Sequence, residues 1–202
     1  MPTTVTTYFE LEVSLQNIQP RIWRRFLLRR NCDFHELHDT IQKACGWWDY
    51  HLYLFHPVDD QRLLAVTPYW QVETNDEEIP PVAATVKIAD FFWREGDKCL
   101  YIYDFGDDWH HLIELKGIVK LKGSHRRRLV GGERAFPHED SGGIDGYYRC
   151  LEALRITEAE LARLDEDIRE DLLSTRQWLG DWDPERFDYE ATARELARRV
   201  RY

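Results

Sequence analysis

The chain has 202 residues, 37 acidic against 27 basic, a net charge of −10, and 43% hydrophobic and 13% aromatic residues. That balance excludes a disordered chain and makes it unlike a protein that coats nucleic acid or anionic membrane through its overall field. No run approaches the ~20 apolar residues a membrane span requires; with neither a basic nor an apolar signal region in Met1–Thr7, a cytoplasmic protein of one domain, residues 1–202, is expected.

Phe9, Leu11, Val13 and Leu15 alternate with polar residues, the pattern of a half-buried strand. Asn17–Pro20 reads as a turn, and a second strand over residues 22–28 pairs back as a hairpin. Its arginines (Arg21, Arg24, Arg25, Arg29, Arg30) occupy both parities, so they do not form one clean face. Asp33 is placed to cap a helix in which Phe34, Leu37, His38, Ile41, Ala44 and Cys45 recur at helical spacing, and Gly46 ends it. Trp47–Tyr50 make a bulky aromatic turn before a short strand over 51–56. Residues 57–82 are irregular, with four prolines and an exposed acidic loop at Asn75–Glu78. Ile88, Phe91 and Phe92 suggest a short helical turn.

The clearest hairpin joins Leu100–Phe105 to Trp109–Val119 through Gly106–Asp108. On its return strand Trp109, His111, Ile113 and Leu115 share one face. Residues 120–128 are basic, and Gly131–Gly146 is too rich in glycine for a regular element. The remainder is helical: Thr157 and Glu160 match a capping box, Asp183–Pro184 a helix start, and Tyr189, Ala193, Leu196 and Val200 one face of a terminal helix. Residues 151–202 are expected to dock on the sheet rather than fold independently. The order β-β-α-β, then β-β, then helices defines an α+β fold with a mostly antiparallel sheet. Cys32, Cys45, Cys99 and Cys150 lack any C-x-x-C spacing, so a zinc knuckle is excluded and small buried hydrophobes are expected.

Tyr103-Asp-Phe-Gly-Asp-Asp-Trp-His-His111 resembles the signature hairpin of the plasmid pRiA4b ORF-three-like family, some members of which are labelled passenger proteins of insertion elements. Ile18–Arg25 resembles the family's first hairpin, and Phe34–Phe55, with Gly46-Trp47 and His51-Leu52, its helix-turn-strand. Gly131–Gly143 resembles its glycine-rich loop, and Gly146-Tyr147 and Trp178–Asp188 its helical end. The loop carries Phe136 and Ser141 where the family commonly has cysteines, and His138 where it has a second proline. The resemblance implies a fold and an association with mobile elements, and no activity.

Asp104, Asp107 and Asp108 crowd one turn with His111 just beyond, and Glu139 and Asp140 sit among glycines. Carboxylates with imidazole suit Mg²⁺, Mn²⁺ or Zn²⁺ and acid–base work. The same aspartates can instead accept backbone N–H bonds and hold a tight turn, with His111 a core histidine. Glu139 and Asp140 can equally cap a helix or pair with Arg134. His38 and His51 are secondary candidates; core packing is the competing account of both. The P-loop, nucleophile-elbow, H-E-x-x-H and G-x-G-x-x-G patterns are absent. The expected function is therefore a binding or interaction module without cofactor, acting on a protein or nucleic-acid partner and not on a membrane. The alternative is a metal-dependent hydrolase or nuclease using the acidic and histidine residues. In either case the 104–109 turn and the 137–143 loop are expected side by side.

Overall fold

The computed structural model describes residues 5–58, 66–68, 82–123 and 125–198. The expected acidic loop at Asn75–Glu78, with Pro80 and Pro81, and Val200 of the last helix lie outside the described residues.

The fold is α+β. β1 (Val5–Leu15), β2 (Trp23–Arg29), β3 (Tyr53–Pro57), β4 (Lys98–Tyr103), β5 (Trp109–Lys122) and β6 (Arg127–Glu133) form one sheet in the order β3-β4-β5-β1-β2-β6. Every pairing is antiparallel. β1 is central because its alternation buries Phe9, Leu11, Val13 and Leu15 on one face. A register shift between Glu10 and Leu11 marks a bulge against β5.

α1 (Phe34–Cys45) packs on the buried face and starts where the sequence places it. Asp33 accepts from the Glu36 amide while the Glu36 side chain accepts from the Asp33 amide, and Gly46 closes the helix. α1 buries Phe34, Leu37, His38 and Ile41. α5 (Tyr189–Ala197) contacts α1 and β6, and its Leu196 joins the main core. α2 (Gly143–Arg155) packs on α4 (Glu166–Leu179); with the short α3 (Glu158–Leu161) they enclose a second, small apolar cluster of Ala153, Leu161 and Leu172. No helix among the described residues is long and apolar enough to cross a membrane. The four cysteines are unpaired, and burial pushes the Cys32 thiol up to about 12.

Two local expectations differ from the structure. Gly131 and Gly132 belong to β6, and Gly143–Gly146 to the first turn of α2. Glycine serves in this edge strand because a Cβ at Gly132 would lie 2.7 Å from Arg24 Cδ and 2.9 Å from the Trp23 carbonyl oxygen. No helix starts at Asp183–Pro184. Asp183 accepts from the Glu185 amide, and the Pro184 carbonyl accepts from the Ala135 amide. These bonds fix an irregular connection, and α5 begins later, capped by Asp188.

Candidate functional site

The site lies at the end of the sheet where β4 turns into β5. The 104–109 turn is tight: the Asp108 amide donates to the Asp104 carbonyl at 2.6 Å, and the Gly106 amide to Asp104 Oδ1 at 2.9 Å. Asp104 and Asp108 are both left-handed, with φ of 57° and 55°, a conformation that aspartate tolerates by bonding locally. The 137–143 loop closes on this turn. The Gly142 amide donates to Asp107 Oδ2 at 2.9 Å. At Gly143, with φ +67°, a Cβ would sit 2.5 Å from the Asp107 carbonyl oxygen, so the two segments touch main chain to main chain.

The loop carries Asp140 to the mouth of the site, again left-handed at φ 62°. His51, just before β3, reaches between the two segments. Its Nε2 donates to Asp140 Oδ1 at 2.7 Å and stands 3.6 Å from Asp104 Oδ2. One donor atom from each of His51, Asp104 and Asp140 lies within 4.8 Å of the others. Asp104 is buried, His51 half-buried and the Asp140 side chain 61% exposed, so the cluster has a dry side and a wet side.

Glu139 is held differently. It accepts from the Tyr103 hydroxyl and from the Trp48 amide at 2.7 Å, and neither caps α2 nor pairs with Arg134. The Tyr103 hydroxyl also accepts from the Tyr50 amide at 3.0 Å. Burial first, and Glu139 second, raise the Tyr103 pKa, so its proton stays on the phenol and in the bond to Glu139.

Behind the site is a closed ring of hydrogen bonds. Gln42 donates to the Tyr101 hydroxyl at 2.9 Å, which lies 2.8 Å from His38 Nδ1. His38 Nε2 donates to Asp49 at 2.7 Å, and the Asp49 amide donates back to Gln42 at 3.2 Å. Burial lowers the His38 pKa against the opposing pull of Asp49. A neutral ring protonated at Nε2 then accepts from Tyr101, and every member is satisfied.

The structure therefore brings Asp104, Asp107, Glu139, Asp140 and His51 together, with His38 in the supporting layer. Asp108 faces outward and bonds His110 at 2.8 Å. His111 is fully buried, flanked by Trp47, Tyr101 and Phe136. Its Nδ1 donates to the Trp109 and Tyr101 carbonyls, at 3.1 and 3.3 Å, and burial drives its pKa down to about 3. It is a neutral core residue, as its place on the Trp109 face of β5 allows. Arg134 is buried and pairs with Glu185 at 2.7 Å, not with the acidic group.

Sequence reasoning passed over Tyr103 as a site residue, Asp49, and the wall of the cleft beside the site. This cleft, about 420 Å³, is lined by Trp48, Tyr50, Trp178, Trp182, Glu139 and Asp140 among others. Trp48 is 74% and Tyr50 72% exposed. The available signal was the aromatic turn after α1, whose Trp47 is tied by its indole N–H to the Pro137 carbonyl at 2.9 Å.

Together the fold and the site define an α+β module with a six-stranded antiparallel sheet and a histidine–carboxylate pocket at one hairpin end. The chain belongs to the plasmid pRiA4b ORF-3-like protein family, whose model matches residues 7–191. It is similar to the uncharacterized protein y4hQ of Sinorhizobium fredii (strain NBRC 101917 / NGR234), 29% identical over 151 residues and covering 74% of each chain. It is also similar to a solved structure, the protein of unknown function MM3350 from Methanosarcina mazei Go1. There the TM-score is 0.77 at 33% identity, covering 94% of this chain and 98% of the other. The family is thus one of uncharacterised plasmid ORF-like proteins, and the names of these relatives state no activity.

Proposed function

We propose that the chain is a ligand-binding module whose ligand enters the aromatic-walled cleft and is anchored there by a divalent cation on His51, Asp104 and Asp140. The observation that carries this reading is the convergence of one imidazole and two carboxylates. First-row metals take such donors at about 2.0–2.2 Å, which places neighbouring ligand atoms roughly 3 Å apart. The separations of 2.7 Å (His51–Asp140) and 3.6 Å (His51–Asp104) are close to that, so only small side-chain rotations are needed. Two carboxylates this close need a cation or a proton donor between them; the histidine fills that role in the free protein and becomes a ligand when metal enters. The exposed tryptophan and tyrosine faces supply flat apolar surface for the ligand's body. Binding is favoured over catalysis because the neighbouring carboxylates are already committed, Glu139 to Tyr103 and Trp48 and Asp107 to the Gly142 amide.

Titration calorimetry with Mn²⁺ and Zn²⁺ tests this. One ion per chain is expected, with affinity falling at least tenfold in His51→Ala and Asp104→Asn. A folded protein that takes up neither ion at millimolar concentration refutes it. One feature supports the second reading, a metal-dependent hydrolase: three protein ligands leave coordination positions open toward the exposed Asp140 side, where a metal-bound water could stand. Mn²⁺-dependent cleavage of a phosphodiester by the wild type, absent in Asp104→Asn, would promote it.

A further inference from the structure

The opposite end of the sheet carries the other sign of charge. There β1 begins, β2 ends, β5 ends and β6 begins, so the antiparallel register gathers basic residues that are far apart in sequence. A groove of about 610 Å³ runs between Val5–Thr7, the Arg29–Asn31 turn and the Lys87–Asp90 segment. A second recess of about 400 Å³ shares Arg29, Asn31 and Lys87 with it and adds Arg126. Lys120 pairs across from Thr7, and Lys122 from Val5. Cross-strand partners project from the same side of a sheet, so the exposed Lys120 and Lys122 leave the sheet on the same side as Thr7 and Val5, two of the residues that line the groove.

We infer that this groove binds the phosphodiester backbone of a single nucleic-acid strand. Arg29, Arg30 and Lys87 line it, Arg126 lines the adjoining recess, and Lys120 and Lys122 stand on the neighbouring strand opposite Thr7 and Val5. Among the described residues the carboxylates along it are Asp33, 3.5 Å from Lys87, Glu36, paired with Arg126, and Asp90. Arg30, Lys120 and Lys122, all exposed, add positive charge at this end in a chain of net charge −10. The acidic site does not cancel it at a distance. β1 alone, 11 residues at about 3.3 Å each, puts more than 30 Å between the ends, and charges separated by several Debye lengths of about 8 Å are screened.

The groove's shape selects the ligand. Its strand wall is Val5, Thr6 and Thr7 with Ala89 opposite, a weakly polar floor under a charged rim. Arg30 lies with its guanidinium 5.8 Å from the Phe9 ring centroid, and a planar guanidinium can also stack against a base. A recessed channel follows one extended strand, whereas a membrane surface would need the cations on a projecting face. Readout is of phosphate and stacking, without sequence preference.

Fluorescence anisotropy of a labelled 20-nucleotide oligothymidine tests this, with full-length protein in EDTA at 50 to 200 mM NaCl. Binding is expected, with log K falling against log salt at a slope of about −2 to −4, the value for three to six phosphates on a single strand. Arg30→Glu/Lys120→Glu/Lys122→Glu should bind at least tenfold more weakly. Lys98→Glu/Arg155→Glu/Arg163→Glu makes the same change in net charge elsewhere and should bind within threefold of wild type. Lys122→Gln alone should flatten the slope by about 0.7, which keeps the test open if the triple variant fails to fold. Asp104→Asn should bind like wild type, separating this surface from the metal site. No binding at 50 mM, equal losses in both triple variants, or tighter binding to phosphatidylserine vesicles than to the oligonucleotide would each overturn the inference.

Discussion

At the end where β4 turns into β5, the charged groups are locked: Asp104 into its own turn, Asp107 onto Gly142, Glu139 between Tyr103 and Trp48, with Trp47, Trp109 and His111 buried beneath. At the far end, Arg30, Lys120 and Lys122 are long flexible side chains at the rim of an open groove, and exposed. The difference teaches how each end would recognise a partner. Hydrogen-bonded carboxylates set in tight turns hold a fixed geometry, which suits an ion with strict distances. Solvated lysines and arginines provide field and reach, which suits a phosphate chain of variable path. Substitutions should accordingly damage stability at the first end and binding alone at the second.

The largest effect is expected from Trp109→Ala. Trp109 is 1% exposed and packs on Trp47 beneath the hairpin turn, so urea denaturation should show a loss of about 3–5 kcal/mol. A loss below about 1 kcal/mol would remove the contrast between the ends.

Acid should weaken the same end. His111 has its pKa depressed to about 3 in the fold by burial, and His38 is lowered too. The unfolded chain binds these protons first, so stability is full above the unfolded value of about 6.5 and is lost as pH falls toward 3. The expected slope is about 1.4 kcal/mol per pH unit for His111 within that window. Unfolding measured at pH 7, 6 and 5 should show it, with a shallower dependence in His111→Phe; an equal slope in that variant would assign the acid sensitivity elsewhere.

Tyr103→Phe removes the hydroxyl that Glu139 accepts from and that the Tyr50 amide donates to. The cost should be about 1–2 kcal/mol, and Mn²⁺ affinity should change less than in Asp104→Asn, because Tyr103 supports Glu139 rather than the three donors. Equal losses of affinity would place Glu139 among the ligands. The smallest effect belongs to the basic end: Lys120→Ala/Lys122→Ala should shift stability by under about 0.5 kcal/mol while weakening oligothymidine binding. A larger destabilisation would show that these lysines hold the fold.

β1, β2, α1 and the β4–β5 hairpin were legible because their information is local: alternation of Phe9 to Leu15, the Asp33–Glu36 box, and the turn at Gly106. β6 was not, because an edge strand with two glycines and three charges between Arg127 and Glu133 has no periodicity of its own. It is a strand because β2 offers it a ladder of hydrogen bonds and Arg24 leaves no room for a side chain at Gly132. The site shows the same division. The carboxylates of its two loops could be picked out as residue types in glycine-bearing turns. That His51 would stand between Asp104 and Asp140, while His111, seven residues after Asp104, turned into the core, depended on strand parity and on the crossing of segments nearly 90 residues apart. By itself the sequence determined the α+β class and the chemistry available at each turn, since these follow from pattern and composition, and its motifs carried the resemblance to the family. Only the tertiary structure decided which charges meet and which are kept some 30 Å apart, because antiparallel register, not proximity in the chain, brings Asp104 to one end of the sheet and Arg30, Lys120 and Lys122 to the other.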